Sequence, residues 1–89
     1  MRSIALTGRF KRDYRRVLRA DPDIDTILQP LLEQLANGEP LAVHHSDHPL
    51  SGNWKGYRDC HVRPDLLLIY SRTADELTLA RLGSHSDLF

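Results

Sequence analysis

Apolar residues follow two different rhythms along the chain, one before position 36 and another after position 54. Ile4 and Leu6 alternate with polar neighbours, which predicts a short, half-buried strand. Phe10, Tyr14, Val17 and Leu18 then recur at i, i+4, i+7 and i+8, the stripe of an amphipathic helix for which Thr7 is a suitable N-cap. Asp21-Pro22-Asp23 predicts a turn, with either Asp able to cap a second helix. In that helix Ile24, Ile27, Leu28, Leu31, Leu32 and Leu35 keep helical spacing, while Pro30 predicts a kink or a split. Asn37-Gly38 with Pro40 behind it reads as the stop. Residues 39–53 read as a long loop, and a loop of that length in so short a chain points to function. Trp54–Val62, Leu66–Tyr70 and Leu77–Leu82 then read as strands, with LLLIY as a buried central one and Ser71–Asp75 as a turn. The order β-α-α-β-β-β predicts an α+β fold, two helices packed on one face of an antiparallel sheet whose other face is free to bind.

At 89 residues this is room for one domain, residues 1–89. No apolar run approaches the roughly 18 residues of a membrane span, and the N-terminus lacks the apolar core of a secretory signal. Cys60 is the only cysteine, so no internal disulfide can form. These features together predict a cytoplasmic protein. The formal charge of zero hides a strong segregation. Residues 1–20 carry seven Lys and Arg against Asp13 alone, and residues 21–47 carry six acids and no base. On the first helix Arg9, Arg12, Arg16 and Arg19 recur at three- and four-residue steps, forming a basic ridge suited to a polyanion.

All five histidines, His44, His45, His48, His61 and His85, lie in the second half. His48 falls in the long loop, His61 near a strand end, Asp65 at the start of the next strand, and His85 just after the last one. If the strands are neighbours, these groups converge at one end of the sheet. Imidazoles beside a carboxylate suit proton transfer near neutral pH. A metal site lacks a compact ligand pair such as H-x-x-x-H or paired cysteines. Nucleophilic use of Cys60 meets a geometric objection, since Cys60 and His61 are adjacent on a strand and point to opposite faces. Acid–base catalysis by side chains is the best chemical reading, with no metal and no cofactor.

The stretch from Asp47 to Tyr70 (DHPLSGNWKGYRDCHVRPDLLLIY) resembles the core of the YafQ branch of RelE-type toxins, D-H-x-L-x-G-x-W-x-G-x-R-x-x-H-x-x-x-D followed by an apolar strand ending in tyrosine. The closing Arg81-to-Phe89 stretch (RLGSHSDLF) resembles the same family's R-x-G-x-H-x-x-L-F ending. What the resemblance implies is a RelE-like fold and ribosome-dependent cleavage of mRNA. It also implies silencing by a cognate antitoxin in a hetero-oligomer, such as two toxins on an antitoxin dimer, with operator DNA contacted only through the antitoxin. Its functional positions carry over as His48, His61, Asp65, His85 and Phe89, with Arg81 as a charge stabiliser.

RNA supplies its own nucleophile, the 2′-hydroxyl, so a base, an acid and some cations suffice. His85 is expected as the acid, aimed across the sheet by a sharp turn at Gly83, and either His48 or His61 as the base. Asp65 is expected to orient an imidazole or share the proton, Lys55 and Arg81 to neutralise phosphate, and Phe89 to stack on a base. Arg9, Arg12, Arg16 and Arg19 are expected to dock on RNA or the ribosome. His44 and His45 match nothing in the family pattern and read as loop surface, while Trp54 and Tyr57 read as sheet packing. The alternative reading is a binding module that keeps the fold and docks on RNA or protein without cutting.

Overall fold

The computed structural model describes residues 1–89. The chain runs β1 (Ser3–Leu6), α1 (Gly8–Ala20), α2 (Asp25–Ala36), β2 (His48–Pro49), β3 (Arg58–Arg63), β4 (Leu66–Arg72), β5 (Glu76–Gly83) and α3 (His85–Leu88), with single tight helical turns at Val43–His45 and Gly52–Trp54. The five strands form one sheet in the order β1-β5-β4-β3-β2. The fold is α+β with the expected helix and strand order, but the sheet is mixed. β1 runs parallel to β5, Ile4 facing Leu77, and the other three junctions are antiparallel. The pairing of β1 with β5 places the two helices in the long connection across one face.

That face holds the main core. Phe10 from α1, Ile24 before α2, and Leu28, Leu31, Leu32 and Leu35 on α2 close over Cys60, Val62, Leu68, Tyr70, Leu77, Leu79 and Leu82 of the sheet. Thr7 caps α1 as expected, its Oγ1 accepting from the Phe10 amide at 3.0 Å while donating to the Ala80 carbonyl at 3.0 Å. Helix α2 has no side-chain cap; Asp21 instead closes the preceding turn on the Asp23 amide, and its carboxylate pairs with Arg63 at 2.8 Å. Pro30 does not split α2, which is continuous through it. The carbonyl that Pro30 cannot donate to belongs to Thr26, which is exposed. The helix ends in a Schellman motif, Gly38 (φ +74°) donating to the Leu35 carbonyl and Glu39 to that of Gln34.

The second face is less open than expected. Leu67, Ile69, Ala80 and Leu88 form a small second core, covered by Leu50, Trp54 and Tyr57, whose aromatic rings meet edge to face at 5.2 Å. The strand expected from Trp54 begins only at Arg58, because Gly52 (φ +65°) and Gly56 (φ +93°) keep the preceding chain in turns. Two irregularities mark the sheet: Val62 is an extra residue in β3 opposite β4, and Ala80 is an extra residue in β5.

Candidate active site

Strand β3 sorts its side chains by alternation. Cys60 and Val62 enter the main core, and Asp59 and His61 point the other way. Cys60 is fully buried and its thiol is pushed up to about 12 by burial, which removes it as a nucleophile, as its strand position implied. Asp59 pairs in register with His48 of β2. The His48 Nδ1 lies 2.6 Å from the Ser46 carbonyl and 3.2 Å from Asp59 Oδ1. A carbonyl can only accept, so Nδ1 carries the hydrogen and neutral His48 presents a bare Nε2. That hydrogen is directed at Ser46. Asp59 Oδ1 therefore sits within ion-pairing distance yet has no hydrogen-bond partner.

Asp59 is 4% exposed. Burial raises its carboxyl above the ordinary aspartate value, against the opposing pull of His48, His61 and His85. All three of the expected catalytic imidazoles therefore act electrostatically on one buried carboxylate.

His61 and His85 meet edge to face with ring centroids 5.7 Å apart, and Phe89 lies 6.4 Å from His85. Asp65, at the β3–β4 turn, accepts from the His85 backbone amide at 3.3 Å and stands 3.4 Å from His85 Nδ1. Both side chains are largely exposed. His85 is the first residue of α3, a single turn closed by a capping box in which Ser84 accepts from the Asp87 amide and Asp87 accepts from that of Ser84. Gly83 matters here for a reason other than the expected one. Its backbone needs no left-handed conformation, but a Cβ there would lie 3.2 Å from Asp87 Cβ and 3.3 Å from a Leu88 methyl. Close approach of α3, rather than a sharp turn, calls for glycine.

The segment carrying His48 is anchored from below. Asp47 accepts from the buried Tyr70 hydroxyl at 2.6 Å and from Arg58 Nε at 3.2 Å. Desolvation and the Asp47 hydrogen bond both push the Tyr70 hydroxyl well above the usual tyrosine range, so it remains a donor.

Arg81 is held by the first helix. Its Nε donates to Asp13 Oδ2 at 2.6 Å and its Nη2 to Asp13 Oδ1 at 3.3 Å, while Asp13 also accepts from the Leu82 amide at 3.1 Å. Burial pushes the Asp13 carboxyl up, but the Arg81 bond, the Leu82 amide and the charges of Arg81 and Arg16 outweigh it and hold the group below its ordinary value. Arg81 thus opens onto a polar hollow of about 600 Å³ with Arg9, Arg12, Asp13, Arg15, Arg16 and Arg19. The expected ridge on α1 is one wall of that hollow. Arg16 reaches Asp13 at 3.4 Å and Asp87 of α3 at 3.7 Å, tying the basic helix to the end of the chain that carries His85. Lys55 is exposed just after the Gly52–Trp54 turn.

The structure thus brings His48, His61, Asp65, His85 and Phe89 to one end of the sheet and puts Arg81 with the α1 arginines. Two residues escaped the sequence reading. Asp59 was legible in principle, since it precedes His61 by two and shares its face. His45 had no such signal. Its Nδ1 donates to the His61 carbonyl at 2.6 Å, so His45 is not the unattached loop-surface residue expected.

A family model described as "Bacterial toxin of type II toxin-antitoxin system, YafQ" matches residues 2–89. The chain belongs to the YafQ toxin family. It is 38% identical over 88 residues to the mRNA interferase toxin YafQ of Escherichia coli strain K12, covering 99% of this chain and 96% of that protein. The toxin fold superposes on the structure of an E. coli DinJ-YafQ complex with a TM-score of 0.89 at 40% identity, covering 100% of this chain and 99% of that one. A copper-bound mutant toxin from Helicobacter pylori matches with a TM-score of 0.94 at 42% identity over the whole of both chains. In this chain no group of three or more His, Cys, Asp or Glu side chains is arranged so that it could hold one metal ion.

Proposed function

We propose that this YafQ-family toxin is a metal-independent endoribonuclease that cuts mRNA while it is being translated on the ribosome. The observation that carries the reading is the His48 clasp: Nδ1, committed to the Ser46 carbonyl and 3.2 Å from the buried Asp59 carboxylate, leaves Nε2 as the proton acceptor. His48 is therefore the general base. It takes the proton of a ribose 2′-hydroxyl as that oxygen bonds to phosphorus. The bond from phosphorus to the 5′-oxygen then breaks, and His85 supplies the proton to the departing oxygen. The products are a 2′,3′-cyclic phosphate and a 5′-hydroxyl. Each proton-transfer group contributes about 10²–10⁴-fold.

Asp59 stabilises the imidazolium that forms at His48. Asp65 orients His85, and His61 lines the site edge to face with the His85 ring. Phe89, 58% exposed, offers a stacking face for a base next to the cut. Arg81 and Lys55 neutralise phosphate. For Arg81 this role falls to Nη1, since Nε and Nη2 are held by Asp13. Arg9, Arg12, Arg16 and Arg19 dock on ribosomal RNA. A cognate antitoxin silences the toxin in a hetero-oligomer, as the DinJ-YafQ complex supports. A toxin that works on ribosomes acts in the cytoplasm, and no helix here is long and apolar enough to cross a membrane.

The test is a reconstituted translation reaction with the purified chain. Cuts within the reading frame that appear only while ribosomes translate, and that persist with a chelator present, are the expected result. Equal cutting of naked and translated RNA removes the ribosome from the account, and no cutting of either leaves a binding module.

A further inference from the structure

We propose that His45 is a positioning residue, fixing through the main chain where the His61 imidazole stands against His85. This rests on the ribonuclease reading above and deepens it. β2 pairs with β3 only at His48–Asp59 and Pro49–Arg58. Traced back from His48, the antiparallel line runs toward the part of β3 that holds His61, but the chain there has left strand geometry for the Val43–His45 turn and a left-handed Ser46 (φ 49°). The outer edge of β3 at His61 thus has no strand to bond.

The His45 ring supplies what the strand does not, donating from Nδ1 to the His61 carbonyl at 2.6 Å. On its inner edge β3 bulges immediately after His61, with Val62 left over opposite β4. His61 therefore stands where the outer ladder has ended and the inner one is broken by a bulge, and the His45 bond is the side-chain tie that holds its backbone on the outer edge. The ring is itself packed against His44, tilted by 39° with centroids 4.1 Å apart.

The same short segment acts on the second imidazole. The Ser46 carbonyl receives the His48 Nδ1 hydrogen at 2.6 Å. Residues 45 to 48 form one clasp, with a ring gripping the main chain of His61 and a main-chain carbonyl gripping the ring of His48. The two histidines are set relative to each other by one piece of chain. Active-site displacements of about 1 Å can cost on the order of 10²-fold in rate, so a tie of this kind affects turnover more than substrate binding.

The experiment compares His45→Phe, which keeps a ring against His44 but has no donor, with His45→Asn, whose side-chain amide can reach the same carbonyl. Cleavage kinetics on translating ribosomes are read with thermal melting and with NMR resonances of the His61 amide and the His61 and His85 rings in the isolated chain. The expected result for His45→Phe is a kcat loss of about 10- to 100-fold with KM and melting little changed. Shifted His61 resonances should accompany it, and His45→Asn should recover most of the rate. Wild-type kcat in His45→Phe, or a loss that His45→Asn does not recover, overturns the proposal. If the wild-type chain does not cleave at all, the ribonuclease reading fails and the NMR arm decides alone: unmoved His61 and His85 resonances in His45→Phe overturn the positioning role.

Discussion

Replacing Asp59 with asparagine should make the protein more stable and less active at once. In the folded chain Asp59 is 4% exposed and its Oδ1 lacks a hydrogen-bond partner. An unpartnered buried polar atom costs about 1–3 kcal/mol, more when charged. Asparagine keeps the shape and removes the charge, so a gain of about 1 kcal/mol is reasonable, which in a domain of this size raises the melting temperature by about 4–8 °C. The pH dependence carries the sign. Because burial raises the carboxyl above the ordinary 3.8, the folded chain holds this proton more tightly than the unfolded one. The stability it confers is present below 3.8 and lost as pH rises through the folded value. The melting gap between Asp59→Asn and wild type should therefore open over that window and persist to neutral pH. Turnover should fall about 10²-fold, the effect of removing one preorganised charge from a site. Calorimetry from pH 3 to pH 8 alongside cleavage kinetics reads both. A variant that melts below wild type at neutral pH, or that cleaves at the wild-type rate, refutes the assignment of Asp59 as a strained electrostatic partner.

Asp13→Ala should destabilise the fold by about 3 kcal/mol, since it strands the Arg81 guanidinium and the Leu82 amide. Because Asp13 is held below its ordinary value, its contribution is present above 3.8 and lost as pH falls through the folded value, so the deficit in urea denaturation should shrink toward pH 3. Gly83→Ala should lower cleavage about 10-fold with little change in melting, because its Cβ presses on Asp87 and Leu88 and displaces the turn that carries His85; unchanged kinetics would contradict this. Reversing charge at Arg9 and Arg12 should weaken ribosome binding and flatten its salt dependence while leaving kcat at saturating ribosome intact. Arg16 is unsuited to that test, because it braces Asp13 and Asp87.

Local chemistry wrote most of the fold plainly into the chain. The apolar stripes of α1 and α2, the Thr7 cap and the Asn37-Gly38 stop act within a few residues, and each forms as its spacing implies. The parallel seating of β1 on β5 and the two bulges depend on partners more than 70 residues away or on sheet register, and no local pattern encodes them. The candidate site divides along the same line. His48, His61, Asp65, His85 and Phe89 were legible from motif spacing and strand order. The pairing of Arg81 with Asp13 joins positions 68 residues apart and redirects a strand-end cation toward the basic helix. His45 acts through a main-chain carbonyl, and a bond of that kind leaves no trace in residue spacing.

In the proposed reaction the 2′-hydroxyl is the nucleophile, His48 takes its proton and His85 protonates the leaving oxygen. The direct measurement places an mRNA with a single 2′-deoxynucleotide on the 5′ side of the cut on translating ribosomes, beside the unmodified message. The unmodified message should yield 2′,3′-cyclic phosphate and 5′-hydroxyl ends, at a rate about 10²–10⁴-fold lower with His85→Ala, and the deoxy message should stay intact at that bond. Cutting of the deoxy message at the normal rate, or 5′-phosphate ends from either, would contradict the mechanism.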